Sequence, residues 1–271
     1  AILHDTGLVR AGQASRTPPG FVRGNAASRL ARRTQVPRYG PGPRLGVDPL
    51  VLHLARWDRL KDPVGVMRGF TRHVLSELDA YLVIAGPHPG TVADDPEAEE
   101  VFEEAVRAWG ALPARKRSRV QLAVLPNEDW GESAAIVNAL QRASAVVVKK
   151  SLAEGFGLGA TEAMWKRRPV VASRVGGLQE QIVNGRSGVL LDDPTDLEAF
   201  GAAVSEMLVD GDAARRLGAA ARRRVRERFL HDRHLAEWLE LLGTVVLERG
   251  DVRARRTRRP LGRVPNQVAQ P

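Results

Sequence analysis

The sequence of 271 residues contains no cysteine. Disulfides and thiolate metal sites are therefore excluded, and a reducing compartment is weakly favoured. No apolar run approaches the roughly 18 to 20 residues that a membrane-spanning helix needs, so we expect no integral membrane segment. The first residues, AILHDTGLVRAG, lack the basic start and long apolar stretch of a signal peptide. These absences predict a cytoplasmic location.

The net charge of +9 is distributed unevenly along the chain. Residues 1–46 carry +7 and residues 249–271 carry +6, which leaves −4 for residues 47–248. A basic protein often binds nucleic acid through its phosphates. The segment RARRTRR, however, has no aromatic residues interleaved for base stacking. We therefore interpret it as a solvated tail and expect no nucleic-acid partner.

Composition divides the chain into three predicted parts. Residues 1–46 are rich in Gly, Pro, Arg and Ser with little periodicity, which is typical of a linker-like or disordered remnant of an N-terminal region. Residues 47–248 form the predicted globular domain, and residues 249–271 a basic, disordered tail. Only 46 residues precede this predicted domain, fewer than the roughly 100 of a typical domain.

Within the predicted domain, short apolar runs alternate with segments of helical period. The runs are rich in Val and Leu, as in strands buried on both faces. They cover residues 49–55, 80–85, 120–125, 144–149, 169–173 and 188–191, and the helical segments cover about 64–77, 97–109, 132–143, 160–167 and 177–184. This alternation predicts an α/β fold with a doubly wound, parallel, six-stranded sheet, Rossmann-like, followed by C-terminal helices.

One loop of the predicted domain is almost free of side chains. The stretch EGFGLGATEAM, residues 154–164, places three glycines between two glutamates, after the fourth strand and before a helix expected from about residue 160. Ligands bind such sheets at the carboxyl ends of the strands, and helix N-termini bind anions. Glycines let phosphate oxygens reach the main chain. The loop therefore predicts a phosphate site.

The kind of phosphate ligand is open at this point. The chain has no GxxxxGK[ST] motif, which disfavours a P-loop nucleotide hydrolase. The segment GFGLGA fits the G-x-G-x-x-A form of a dinucleotide fingerprint, and the pair SR at 173–174 would suit the 2′-phosphate of NADP. That fingerprint normally follows the first strand rather than the fourth, and it has no evident use for Glu154. An NADP-binding Rossmann domain remains an alternative.

Two cations follow the first predicted strand. The segment LARWDRLKDP places Arg56 and Lys61 five residues apart, at the same edge of the sheet as the glycine loop. Taken alone, they would be ordinary solvated surface residues. Facing a glycine-rich helix start, they would neutralise a diphosphate without a metal ion.

These motifs resemble those of retaining GT-B glycosyltransferases of the group 1 type, also called glycosyltransferase family 4. From about residue 49 to 243 the chain is similar to their C-terminal, nucleotide-sugar-binding half. The resemblance rests on ARWDRLKD, on the E-x7-E motif EGFGLGATE, on RPVVASRVGGLQEQIVNGRSGVLLDDP and on the arginine-rich closing helices. The NALQRAS helix, the Lys150–Ser151 pair and EAMWK resemble the trehalose synthase and trehalose phosphorylase branch.

The resemblance implies a hexosyltransferase whose donor is UDP-, ADP- or GDP-glucose and whose acceptor is a sugar, possibly glucose to give trehalose. The implied catalytic residues are Arg56 and Lys61, which would stabilise the departing diphosphate, and Glu154, which would bind hydroxyls of the donor sugar. Glu162 would bind the ribose hydroxyls. The other implied donor-binding positions are Gly86, Gly155, Phe156, Gly157, Leu158, Gly159 and Gly177. Neither a metal ion nor another cofactor is implied.

The resemblance covers only the donor half of such an enzyme, whose acceptor site lies mostly in the other half. We therefore expect a separate N-terminal acceptor domain or a second copy of the chain as partner. The alternative that the resemblance implies is a truncated or rearranged glycosyltransferase, a non-catalytic remnant that binds a nucleotide sugar without transferring it. Two positions depart from the family pattern: Gly159 stands where Thr or a β-branched residue is frequent, and Asp62 where Gly usually follows the lysine.

Overall fold

The computed structural model describes residues 2–6, 8–10, 20–21, 29–30, 36–91 and 97–257. It divides into two compact units, residues 1–226 and residues 227–271. The predicted boundaries at residues 46 and 248 were drawn from composition and stay predictions. Part of the segment 1–46 and residues 258–271 of the basic tail lie outside the described residues.

The strands are β1 (Gly20–Phe21), β2 (Arg29–Leu30), β3 (Arg38–Tyr39), β4 (Leu50–Leu54), β5 (Tyr81–Pro87), β6 (Val120–Leu125), β7 (Val146–Lys149), β8 (Val170–Ser173) and β9 (Val189–Leu191). The α-helices are α1 (Ile2–Asp5), α2 (Pro63–Gly69), α3 (Glu97–Gly110), α4 (Ala114–Arg117), α5 (Trp130–Ala143), α6 (Leu158–Trp165), α7 (Gly176–Gln181), α8 (Leu197–Val209), α9 (Gly211–Arg228) and α10 (His231–Thr257). A short antiparallel pair joins β1 and β2.

The main sheet has the order β3-β6-β5-β4-β7-β8-β9, and β4 to β9 run parallel. This confirms the predicted doubly wound α/β fold and its six parallel strands. The structure adds a seventh, antiparallel strand, β3, in which Arg38 lies opposite Ala123 of β6. This strand has only two residues and both are exposed, so no apolar run marks it in the sequence.

Strand β4 lies at the centre of the sheet, where the strand order reverses. Its residue His53 pairs with Ile84 of β5 on one side and with Val148 of β7 on the other. At such a switch point the connections from two adjacent strands leave toward opposite faces, which opens a crevice at the carboxyl ends. The loops that follow β4 and β7 therefore form the walls of this crevice.

The core forms because the parallel strands are covered by helices on both faces. Strand residues such as Val51, Ile84 and Val148 are buried together with Phe70 and Phe200. Helix α2 packs against α3 and α8, helix α6 against α7, and helix α1 against α5. Strands covered in this way consist almost entirely of apolar residues.

Several helices differ in detail from the predicted segments. The segment 64–77 forms α2 and then a π-helical turn, Phe70–Val74. Helix α6 begins at Leu158, two residues before the predicted start. Helix α8 was not predicted, because its buried face includes Gly201 and Ser205 and so is not a clean apolar stripe.

The second unit contains α10, which carries an apolar stripe of Leu235, Trp238, Leu239 and Leu242. Within the helix, Arg233 pairs with Glu237 at 2.7 Å. The helix continues to Thr257, into the segment that composition predicted to be disordered. Among the described helices, none is long and apolar enough to cross a membrane.

Candidate functional site

The loops after β4 and β7 are joined by their main chains. The amide of Leu152 donates to the carbonyl oxygen of Leu60 at 2.7 Å. Residues 55–62 of the first loop and residues 150–157 of the second therefore form a single structure at the switch point. The cations and the glycine turn predicted from the sequence lie on these two loops.

Lys61 and Glu154 form an ion pair across the two loops. The Nζ of Lys61 lies 3.0 Å from Oε2 of Glu154, and the two side chains are only 13% and 14% exposed. The same ammonium lies 3.4 Å from the carbonyl oxygen of Ala153. Two residues that the sequence assigned to diphosphate and sugar thus meet in one place.

A second ion pair, between Lys150 and Asp62, joins the loops below the first. Lys150 is fully buried and contacts Oδ2 of Asp62. Asp62 has a left-handed backbone, with φ of 47°, and its Oδ1 accepts from the amide of Gly65 at 2.9 Å, so it also caps α2. The departure from glycine at position 62 is therefore explained: the carboxylate neutralises a buried lysine and caps a helix.

The glycine turn is shaped by the chain that follows β8. Gly157 precedes α6 with φ of +86°, a conformation that other residues rarely adopt. A Cβ on Gly176 would lie 1.6 Å from the carbonyl oxygen of Glu154. The amide of Gly177 donates to the carbonyl oxygen of Gly155 at 2.6 Å. Gly157 and Gly177 are thus required by the fold, which does not test their predicted contact with the donor.

Gly155 differs from its neighbours in the turn. A Cβ built at this position meets no atom within 4 Å, and its φ is not in the left-handed region. The fold would accept a side chain here. Its glycine is therefore what a ligand approaching the main chain would require.

Lys149 ends β7 beneath this turn and was not singled out in the sequence. It is 7% exposed, and its ammonium donates to the carbonyl oxygen of Leu54, at the end of β4. Burial lowers the pKa of Lys149 to about 8, and the neighbouring Glu154 opposes that shift. A Cβ on Gly159 would lie 2.6 Å from the ammonium nitrogen, which explains glycine at that position.

Glu162 is the fifth residue of α6 and so lies in its second turn, because α6 begins at Leu158 rather than at about residue 160. It is exposed, and its Oε2 accepts from Nε2 of Gln141 at 3.3 Å. The Nζ of Lys166 donates to Oε1 of the Gln141 side-chain amide at 2.6 Å. Gln141 therefore fixes one oxygen of the carboxylate beside the crevice, a contact that the sequence did not predict.

The remaining predicted residues occupy the rim of the crevice. Arg56 is 52% exposed and pairs with Asp58 at 3.0 Å, among other interactions. Phe156 and Leu158 are 48% and 68% exposed, so two apolar side chains of the glycine turn are accessible to solvent. A Cβ on Gly86 would lie 2.9 Å from the Trp57 indole, so this glycine is needed for packing.

The buried polar residues around the crevice were missed by the sequence reasoning. His53 of β4 is 1% exposed, and burial lowers its pKa to about 3, so its ring is neutral. Gln181 is fully buried and donates to the carbonyl oxygen of Phe156, which braces the glycine turn. His53 is visible in the sequence as a polar residue inside an apolar run, whereas Gln181 lies in a polar stretch and gives no such signal. In the described part of the chain, no group of three or more His, Asp or Glu side chains is placed to hold a metal ion.

The model of the family described as glycosyl transferases group 1 matches residues 44–224, about two thirds of the chain. The chain belongs to the glycosyl transferases group 1 family. It is 36% identical over 210 residues to trehalose synthase from Thermococcus litoralis and 38% identical over 207 residues to trehalose synthase from Rubrobacter xylanophilus. These matches cover 74% and 75% of the chain and 46% of each relative. The chain thus spans about half the length of the curated relatives it matches.

Solved GT-B structures show the same fold. Sucrose-phosphate synthase from Thermosynechococcus elongatus matches with a TM-score of 0.59 and 26% identity, over 74% of this chain and 46% of that one. An Anabaena protein in complex with UDP and glucose matches with a TM-score of 0.57 and 19% identity, over 73% of this chain and 48% of that one. The predicted family and fold are confirmed, whereas the roles of individual residues stay predictions.

Proposed function

We propose that this chain is the donor-binding half of a retaining glycosyltransferase that transfers glucose from a nucleoside diphosphate sugar to a sugar acceptor. The contact between Lys61 and Glu154 carries the proposal, because it brings a diphosphate ligand and a sugar ligand to the same crevice. The family supports a nucleotide sugar as donor. The trehalose synthase relatives favour glucose as acceptor, with trehalose as product.

The diphosphate would lie between the first loop and the start of α6. Arg56 and Lys61 would supply positive charge from one side, and the N-terminus of α6 would supply it from the other, because the helix dipole places partial positive charge there. Negative charge grows on the leaving oxygen as the glycosidic bond breaks. Preorganised donors of this kind lower such a barrier by roughly 3 to 4 kcal/mol each.

The two glutamates would hold the two ends of the donor. Glu154 begins the glycine turn and accepts hydrogen bonds from hydroxyls of the sugar, while Glu162 accepts them from the ribose. A carboxylate suits this role because its two oxygens accept side by side. The nucleotide base would lie near residues 125–130, where Trp130 is 81% exposed. A sugar donor of this type requires no metal ion in this proposal, since cationic side chains neutralise the phosphates.

Isothermal titration of the chain with UDP-, ADP- and GDP-glucose, and with NADPH, tests the proposal. We expect one of the sugar nucleotides to bind and NADPH not to bind. A response to NADPH alone would instead favour the dinucleotide fingerprint. The position of the glycine turn after β7, the fourth parallel strand, already disfavours that alternative.

The variants Lys61→Ala and Arg56→Ala locate the diphosphate. Each removes a charge-assisted contact, so we expect about a tenfold or greater loss of affinity for the nucleotide that binds best. Arg107→Ala, which removes an exposed arginine paired with Glu103 on α3, is the matched control and should bind normally. Unchanged affinity in both loop variants would contradict the diphosphate role.

The match to only 46% of each relative favours a second candidate function. The chain would then bind a nucleotide sugar without transferring it, unless a separate acceptor domain or another copy completes the site. Incubation of the bound donor with glucose distinguishes the two, since release of free nucleotide and trehalose requires transfer. A cytoplasmic location remains part of the proposal.

A further inference from the structure

Lys149 is the least explained charged residue of the crevice. Its side chain is 7% exposed, yet burial of an ammonium group is costly unless something compensates the charge. An ammonium has three N–H donors. Within the described ranges, the carbonyl oxygen of Leu54 is its one hydrogen-bond acceptor. Among the described residues, two of the three N–H donors of this buried cation therefore have no acceptor.

The position of this ammonium is defined by two elements. Leu54 ends β4, and Gly159 lies in the first turn of α6, where an added Cβ would lie 2.6 Å from Nζ and 2.8 Å from Cε of Lys149. The ammonium thus lies between the end of the central strand and the glycine turn, at the crevice itself. Glycine at 159 leaves no side chain between this charge and whatever approaches the turn.

We propose that Lys149 binds the diphosphate of the donor from beneath the glycine turn, as a third cation beside Arg56 and Lys61. This inference rests on the proposed function and adds a binding residue that the sequence did not indicate. The lysine that ends a buried strand and the glycine at position 159 therefore act together. The missing side chain of residue 159 makes room for the ammonium of residue 149.

The surroundings of Lys149 make its contribution depend on pH. The charged groups that face it are Glu154 and Glu162, which favour its charged form, and Lys61, which opposes it. Its neighbour His53 is neutral. Because the pKa of Lys149 is lowered to about 8, its charge is present at pH 7 and largely absent at pH 9. A phosphate ligand would stabilise the charged form, so binding at pH 8.5 should take up a proton.

The test uses the full chain and the nucleoside diphosphate, UDP, ADP or GDP, of whichever sugar nucleotide binds most tightly in the titration described above. Lys149→Met should lower the affinity about tenfold or more at pH 7, as expected when a charged hydrogen bond is lost. Titrations at pH 8.5 in two buffers of different ionisation enthalpy should show proton uptake by the wild type and none by the variant. The parent nucleoside, which lacks the phosphates, should bind both proteins equally.

Three further variants separate this role from a structural one. Gly159→Ala should displace the ammonium and reproduce both the weaker binding and the loss of proton uptake, which decides the matter if Lys149→Met does not fold. Gly155→Ala, in the same turn, should keep the proton uptake. Lys116→Met removes a lysine at the opposite edge of the sheet and should change neither measurement.

The melting temperature of Lys149→Met, measured without ligand, distinguishes a binding role from a purely structural one, because loss of a structural lysine would lower it. The pKa of Lys149 is lower in the folded chain than its ordinary value, so its charge opposes folding below pH 8. Lys149→Met should therefore melt at the same or a higher temperature at pH 7. If the wild type binds a nucleotide and both Lys149→Met and Gly159→Ala bind it equally well with normal proton uptake, the role of Lys149 is wrong. If the wild type binds none, the proposed function itself fails.

Discussion

Lys61 and Glu154 neutralise each other at 3.0 Å. A nucleotide sugar would give each of them a new partner, the phosphates for the ammonium and sugar hydroxyls for the carboxylate. Both side chains are almost buried, so the ammonium and the carboxylate can stay close together when the donor binds. The pair therefore keeps each side chain in place before the donor arrives, which lowers the ordering cost of binding.

Glu162→Gln tests the other end of the donor. The amide accepts with one oxygen instead of two, so we expect about a tenfold loss of affinity for the nucleoside diphosphate and no loss for glucose 1-phosphate. Calorimetric titration with both compounds provides the comparison. Glu198→Gln, an exposed glutamate on α8, is the matched control. The reverse order of effects would mean that Glu154 and Glu162 exchange their assigned roles.

At the scale of the element, the glycine turn contains one glycine that the backbone requires, Gly157, and one that the fold does not require, Gly155. Gly157→Ala forces a side chain into a backbone with φ of +86° and places its Cβ 2.8 Å from Leu178, so we expect a loss of about 1–3 kcal/mol in the free energy of unfolding. Gly155→Ala meets no neighbour, so its stability should stay within about 0.5 kcal/mol of the wild type.

The measurement combines urea unfolding with donor titration. Gly155→Ala is expected to weaken donor binding although it leaves the fold unchanged, because its methyl group stands where the ligand approaches the main chain. Normal binding by this variant would show that the donor does not come close to Gly155. The two glycines thus serve as controls for each other in one turn of chain.

The sequence predicted well those elements whose composition is determined mainly by burial. The six parallel strands are buried on both faces, so strands such as β5 and β6 consist mostly of apolar residues and the runs stand out. β3 consists of two exposed residues on the edge of the sheet and is too short to show such a pattern. The π-helical turn after α2 follows from packing against α8, which the sequence of 64–77 does not reveal.

The site was predicted in part for the same reason. Glycines and paired charges at the ends of strands are visible as letters, which is why Lys61, Glu154 and the turn were found. Lys149 was not found, because a lysine at the end of a strand reads as a solvated residue until the fold places α6 above it. The contacts of Gln141 and Gln181 depend on residues 21 and 25 positions away in the sequence, which no local pattern encodes.

At the scale of the whole molecule, one carboxylate ties together the edge of the sheet opposite the crevice. Asp48 precedes β4 and is 7% exposed; its oxygens accept from Arg44 at 2.8 Å and from Arg119, which precedes β6, at 3.2 Å. The hydrogen bond from Arg44 lowers the pKa of Asp48 to about 2. The carboxylate therefore stabilises the fold at neutral pH.

Asp48→Asn should lower the free energy of unfolding by about 1.5–3 kcal/mol at pH 7. The folded pKa lies below the ordinary value of 3.8, so this stabilisation is complete above about pH 4 and is lost as the pH falls toward 2. Urea unfolding of the wild type and of Asp48→Asn between pH 2 and 7 should show their free energies of unfolding converging as the pH falls. Asp212→Asn, which breaks an exposed pair with Arg215, should cost at most about 1 kcal/mol. A stability difference for Asp48→Asn that persists at pH 2 would contradict this account.

The buried pair of Lys150 and Asp62 has a consequence for how this protein family can be recombined. Each partner belongs to a different loop, and Lys150 is fully enclosed. A chimera that takes one loop from another glycosyltransferase would leave a lone charge in the interior, which typically costs about 3–5 kcal/mol. The two loops are therefore expected to be inherited as a linked pair, and an attempt to change donor preference by grafting has to transplant both.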